Sequence, residues 1–256
     1  MGKNKLFWRL RYVDYMPGYL KSVRSTLQFC TILPLGDSSD YDSYARRFYL
    51  FPLVGYVTGG IAALLTMLVS DPALSAAVAL AAVMILNGFH HFDGLLDLGD
   101  GMMAHGSREK RLKALSDQNV GAGGIASGML VILLAYAGLM SIAMVPYAIL
   151  IAEVLSRFSP VFLLTFGEPI KEGMHSYTHD FGKKWFPYAA FALCVPALFL
   201  APGGVGFMAA GIASIAVPLF LLVVFKKIFG GVNGDMDGAS VEISRMAVIA
   251  CLALVL

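Results

Sequence analysis

Residues 73–101 read ALSAAVALAAVMILNGFHHFDGLLDLGDG, and this stretch decides the fold. From Ala73 to Phe92 the only ionisable groups are His90 and His91. A run of that length, about 20 residues, predicts a helix able to cross a bilayer. Three carboxylates then follow, Asp93, Asp97 and Asp100. If the helix continues, they project at about 0°, +40° and −20° and so share one face. Aligned aspartates repel one another, and each costs roughly 2.5–3.5 kcal/mol deep in lipid. A hard divalent cation offsets both terms because it takes several oxygen ligands. The alternative is a solvated helix end whose acids face water.

Composition points the same way. The chain is 256 residues long, 58% hydrophobic and only 14% charged, with mean hydropathy +0.72. Soluble domains carry about 25% charged residues, so a polytopic, all-α integral membrane bundle is expected, formed as one membrane-embedded catalytic domain over residues 1–256. Cys30, Cys194 and Cys251 form no CxxC pair, which argues against a disulfide framework or a zinc site. Nothing indicates a nucleic-acid partner, and the sequence leaves open whether homo-oligomers form.

Spanning segments are expected near 48–69, 73–92, 120–143, 146–166, 185–201 and 205–225, with a short seventh at 243–256 that must recruit polar flanking residues or stay partly embedded. Residues 1–30 mix Lys3, Lys5, Arg9, Arg11, Lys21 and Arg24 with aromatic side chains, a pattern suited to an amphipathic segment on the bilayer surface. The connections at 101–119, 167–184 and 226–242 hold Arg108, Lys110, Arg111, Lys113, Lys171, Lys183, Lys184, Lys226 and Lys227. Those near 70–72, 144–145 and 202–204 hold no Lys or Arg. Seven spans with a cytoplasmic N-terminus therefore place every basic loop, and the Asp cluster, at the cytoplasmic face of the cell (inner) membrane.

Acid-rich helix faces in membrane enzymes suit phosphate esters and diphosphates, where a metal shields charge and stabilises the leaving oxygen. One helix supplies too few oxygens for a metal pair, so a ligand from elsewhere is expected. Asp117 is the first candidate, Asp235 the second and Glu242 the third; Asp237 reads as a turn residue. Asp235 is also the candidate base. Gly121 and Gly124, like Asn233 among its glycines, adjoin helix starts where a backbone can approach a phosphate. Plain helix packing explains the glycines equally well. Glu153 and Arg157 stand four apart inside a span, either as an internal ion pair or with Arg157 free to reach a phosphate. His91 suits proton transfer or phosphate contact, or is simply packed. The 167–184 connection, with His175, Tyr177, His179 and Asp180, either covers a substrate or is an ordinary solvated link.

The residues also carry a resemblance. Phe29 to Pro34, Ala45-Arg46-Arg47 and Phe51 to Gly55 form an opening block, and His91 to Asp97, Asp100-Gly101, Arg108 to Arg111 and Asp117 to Gly124 a central one. Leu155-Ser156-Arg157 is a third block, and Gly230 to Asp235 with Gly238-Ala239 and Glu242 a fourth. In order and spacing the chain resembles the cobalamin synthase (adenosylcobinamide-GDP ribazoletransferase) family. The resemblance implies an Mg²⁺-dependent membrane phosphotransferase that joins adenosylcobinamide-GDP to α-ribazole or its 5′-phosphate and releases GMP. It implies Asp93, Asp97, Asp100 and Asp117 as metal ligands, Asp235, His91 and Asp117 as catalytic groups, and Arg157, Arg108, Lys113, Gly121, Gly124, Asn233 and Glu242 at the substrate. Ser116 departs from the family, which commonly has a basic residue there, so a phosphate contact must come from elsewhere, from Lys113 or Arg108. Asp97 to Ala104 is also similar to the start of the CDP-alcohol phosphotransferase motif, but His105 stands at its Arg and Gly121 at its last Asp. A prenyltransferase is the enzyme rival and lacks a second Asp-rich helix here. A transporter is the rival from another class, and no matched pair of broken helices supports it.

Overall fold

The computed structural model describes residues 18–36, 40–201 and 203–255. Of the expected surface segment, residues 1–17 lie outside that range. The described chain forms α1 (Gly18–Cys30), α2 (Tyr41–Ala45), a 3₁₀ turn at Phe48–Leu50, α3 (Pro52–Thr66), α4 (Pro72–Leu86), α5 (His90–Met103), α6 (Arg108–Leu115) and α7 (Ala122–Met140). It continues with α8 (Val145–Ser156), α9 (Phe158–Phe166), α10 (Met174–His179), α11 (Phe186–Leu198), α12 (Gly203–Ile228) and α13 (Gly234–Val255). Among the described residues the only extended pairing is an isolated bridge between Pro169 and Val232. Prolines open α3, α4, α8 and α11, where their fixed φ suits a first turn.

Five stretches are long and apolar enough to cross a membrane: Phe48–Thr66, Ala122–Met140, Val145–Phe166, Gly203–Ile228 and Gly234–Val255. The bent pair α4–α5 raises the number to six, and α11 is a shorter apolar helix. Large apolar side chains such as Leu64, Leu130, Ile212 and Phe220 stand exposed on these helices, as a lipid-facing surface requires.

One expectation is corrected. The helix foreseen through Phe92 breaks: α4 ends at Leu86, Gly88 and Phe89 take left-handed φ of 60° and 59°, and α5 departs at 94°. Glycine adopts that region without penalty and Phe89 does not, so the surrounding packing must hold the turn. The acids therefore sit on a separate helix that runs across α4 instead of prolonging it. Since α5 is helical from His90 to Met103, Asp93, Asp97 and Asp100 share a face as predicted. At the C-terminal end the short apolar stretch does recruit polar flanking residues: its helix begins at Gly234, before Ile243.

Helix α13 lies at the centre, packed on α5, α7, α8, α9 and α12. Its start presses closely on α5: a methyl at Gly94 would stand 2.5 Å from the Asp235 carbonyl oxygen. That approach joins two segments far apart in sequence, and only a residue without a Cβ permits it.

Candidate active site

The α5–α13 contact forms one wall of a cavity of about 390 Å³. Asp93 from α5 and Asp235 from α13 both line it, as do His90, His91, His175 and Asp237. Phe29, Tyr41, Tyr44 and Phe51 line it as well. The Phe29 ring lies 5.0 Å from that of Tyr41 and 4.9 Å from that of Tyr44, so three rings form a continuous apolar face.

Asp97 sits one turn beyond Asp93 and is half-buried, within electrostatic reach of Asp235, Asp93 and Asp100. None of the ion pairs among the described residues involves Asp93, Asp97 or Asp235. Asn233 fixes the start of α13: its amide nitrogen donates to Asp235 Oδ2 at 2.7 Å and its oxygen accepts from the Met236 amide at 3.1 Å. Asn233 thus positions Asp235 and is held locally.

Asp100 has a different task. Its two oxygens accept from the Gly121 and Gly124 amides at 2.7 and 2.8 Å. A carboxylate from another helix thereby caps α7, satisfying amides left free at a helix start and complementing its dipole. Those glycine amides, expected to meet a phosphate, are already taken. Asp117 is exposed and its Oδ1 accepts from the backbone and side chain of Asn119, both at 3.0 Å, which hold its pKa below the usual carboxylate range. Arg108 lies over Gly230, and Lys113 is exposed on α6.

Beneath the cavity lies a network of buried charge. Arg157 donates to Glu153 at 2.7 Å, to Asn87 at 3.0 Å and to His91 Nδ1 at 3.1 Å. Glu153 also accepts from Thr58 at 2.6 Å and from Arg245, which in turn pairs with Glu242. Arg157 and Glu153 are fully buried, and Glu242 and Arg245 nearly so. The internal ion pair is therefore what the structure shows. Arg157 and Glu242, expected at the substrate, are here buried members of this network. Through Asn87 and His91 the network also holds both sides of the α4–α5 bend. Both His91 ring nitrogens lie near Arg157 Nη1, Nδ1 at 3.1 Å and Nε2 at 3.5 Å, and since a guanidinium can only donate, the nearer Nδ1 is the acceptor.

The 167–184 connection folds over the cavity. His175 Nδ1 meets Asp237 Oδ2 at 2.7 Å and Nε2 meets the Gly167 carbonyl at 3.1 Å. Burial alone would lower the His175 pKa, but the Asp237 carboxylate outweighs it and holds His175 above the usual histidine range. Asp237, expected to be a turn residue, is instead in the first turn of α13 and lines the cavity. Sequence spacing held no signal for its pairing with His175, 62 residues away. Lys171 was also missed as a site residue. Its amino group reaches Ser116 Oγ at 3.2 Å and its charge acts on Asp235, so a cation from another segment stands at the position where the resembled family has a basic residue.

The chain matches the family model described as cobalamin-5-phosphate synthase over residues 22–253. The adenosylcobinamide-GDP ribazoletransferase of Methanocella arvoryzae is 34% identical, across 93% of this chain and 97% of its own. The proteins of the same name from Methanococcoides burtonii and Archaeoglobus fulgidus are each 32% identical, covering 93% and 92% of this chain and 94% and 98% of theirs. No solved structure gives a significant match.

Proposed function

Because this chain belongs to the cobalamin-5-phosphate synthase family, we propose that it is the transferase its relatives are named for, joining adenosylcobinamide-GDP to α-ribazole or its 5′-phosphate. One observation supports the assignment of the site: Asp93 and Asp235, from helices far apart in sequence, meet at the rim of one cavity. A ribose hydroxyl oxygen bonds to the phosphorus that carries cobinamide, the bond from that phosphorus to the GMP oxygen breaks, and GMP leaves. Asp235 takes the hydroxyl proton. Lys171, Arg108 and Lys113 supply positive charge for the guanosine diphosphate portion, and His91 donates into the cavity. Positioning and electrostatics then provide most of the acceleration.

Mg²⁺ fits the donor chemistry, since Asp93, Asp97 and Asp235 offer only oxygens and repel one another. No three such side chains among the described residues already stand at coordinating spacing. Asp93 and Asp97 are the ligands we assign, with Asp235 nearby. When bound, the ion would shield the diphosphate and stabilise the departing GMP. Asp100 and Asp117 we place outside the ligand set, for the hydrogen bonds described above.

Membrane vesicles given labelled adenosylcobinamide-GDP and α-ribazole should release GMP, and chelation should stop release until Mg²⁺ is restored. Absence of GMP release with both substrates present would overturn the reading. The basic connections favour a cytoplasmic site on the cell membrane. Cysteines at Ser107 and Ser176 should then be labelled from the cytoplasm and one at Gly204 only from the opposite side; same-side labelling of Ser107 and Gly204 would reject that topology.

A further inference from the structure

We infer that the cavity seats the acceptor nucleoside, with its base on the Phe29, Tyr41 and Tyr44 rings and a ribose hydroxyl donating to Asp237. This rests on the transfer proposed above and assigns one substrate to one part of the site. Volume makes the first distinction. About 390 Å³ is near the small end of ligand pockets, which run roughly 300–1,000 Å³. A nucleoside fits such a space. A corrinoid macrocycle with its side chains is several times larger and must remain outside, sending only its phosphate arm to the rim.

The wall chemistry makes the second distinction. The three clustered rings, tilted to one another by 32° to 66°, offer an apolar aromatic wall against which a base can pack. His175, also in the lining, is fully committed. Its Nε2 faces the Gly167 carbonyl, which only accepts, so that nitrogen donates; its Nδ1 pairs with Asp237 Oδ2. The other oxygen, Asp237 Oδ1, is buried and has no hydrogen-bond partner among the described residues. A buried acceptor left unpaired is costly, and a ligand hydroxyl satisfies it. Asp235, on the same first turn of α13, also lines the cavity. A ribose presenting two adjacent hydroxyls can therefore place one on Asp237, which orients it, and the other toward Asp235, which takes its proton.

Equilibrium dialysis of labelled α-ribazole against the detergent-purified full chain reads the seat without turnover. In the unmodified protein, the analogue lacking both adjacent hydroxyls should compete about tenfold more weakly than α-ribazole, the worth of one hydrogen bond to a charged group. Asp237→Asn, which keeps an oxygen acceptor but loses its charge while Asp235 still meets the second hydroxyl, should narrow that discrimination. It should also raise the KM for α-ribazole about tenfold while the KM for adenosylcobinamide-GDP changes by less than about twofold. Equal competition by the two nucleosides in the unmodified protein, or an equal rise in both KM values in Asp237→Asn, overturns the assignment. Binding of α-ribazole with the expected discrimination, but without GMP release, supports the seat and defeats the reaction reading instead.

Discussion

The acids at the cavity rim and the charges buried beneath them use the same chemistry to opposite ends. Glu153, Arg157, Glu242 and Arg245 balance one another in charge, are enclosed by helices α3, α8 and α13, and are joined by direct ion pairs. Asp93, Asp97 and Asp235 have one sign, remain partly open to solvent, and make no ion pair among the described residues. Paired charges in a dry interior fix geometry, because removal of one strands the others. Unpaired charges of one sign hold a site in readiness for something positive. The two regions are connected by Arg157, which reaches Glu153 below and His91 at the cavity wall.

Mutations should separate the regions, and the largest effect belongs to the network. Glu153→Gln leaves two buried guanidiniums short of a counter-charge, so about 3–5 kcal/mol of stability should be lost. Thermal unfolding in detergent should show it, with activity falling in parallel. Next comes the rim: Asp97→Asn should lose at least ~100-fold in turnover, equivalent to ~2.7 kcal/mol, while its unfolding midpoint stays put. If that midpoint fell as far as in Glu153→Gln, the contrast between the regions would be broken. Asp235→Asn should show a similar loss, since general bases contribute 100-fold or more.

Two further substitutions sharpen the boundary. Asp100→Ala removes the carboxylate that caps α7 and should cost about 1 kcal/mol of stability, with a smaller loss of activity than at Asp97. Asp117→Asn should do least, within about 0.5 kcal/mol in stability and with turnover near normal. A loss at Asp117 as large as at Asp97 would return Asp117 to the metal site.

Much of this division was hidden in the sequence for an identifiable reason. Spacing showed that Asp93, Asp97 and Asp100 share a face, because a helix repeats every 3.6 residues whatever surrounds it. It could not show that Asp100 is spent on the amides of another helix while its neighbours are not. The four-residue interval of Glu153 and Arg157 suggested an ion pair, but Arg245 and Asn87, which complete the burial, come from helix and bend far along the chain. Asp237 looked like a turn residue because its partner His175 belongs to a segment with no periodic signal.

Hydropathy and charge by themselves determined that this is a helical membrane protein, since the cost of placing a residue in lipid or in water follows from its chemistry alone. The resemblance of its motifs pointed to the family to which the chain belongs. Only the tertiary structure decided that α5 turns 94° away from α4 at Gly88 and Phe89, bringing Asp93 to the cavity shared with Asp235. That depends on how closely two backbones can pack, as at Gly94, and on which buried groups find partners. Both are properties of surfaces meeting across the fold, and neither is written in the local order of residues.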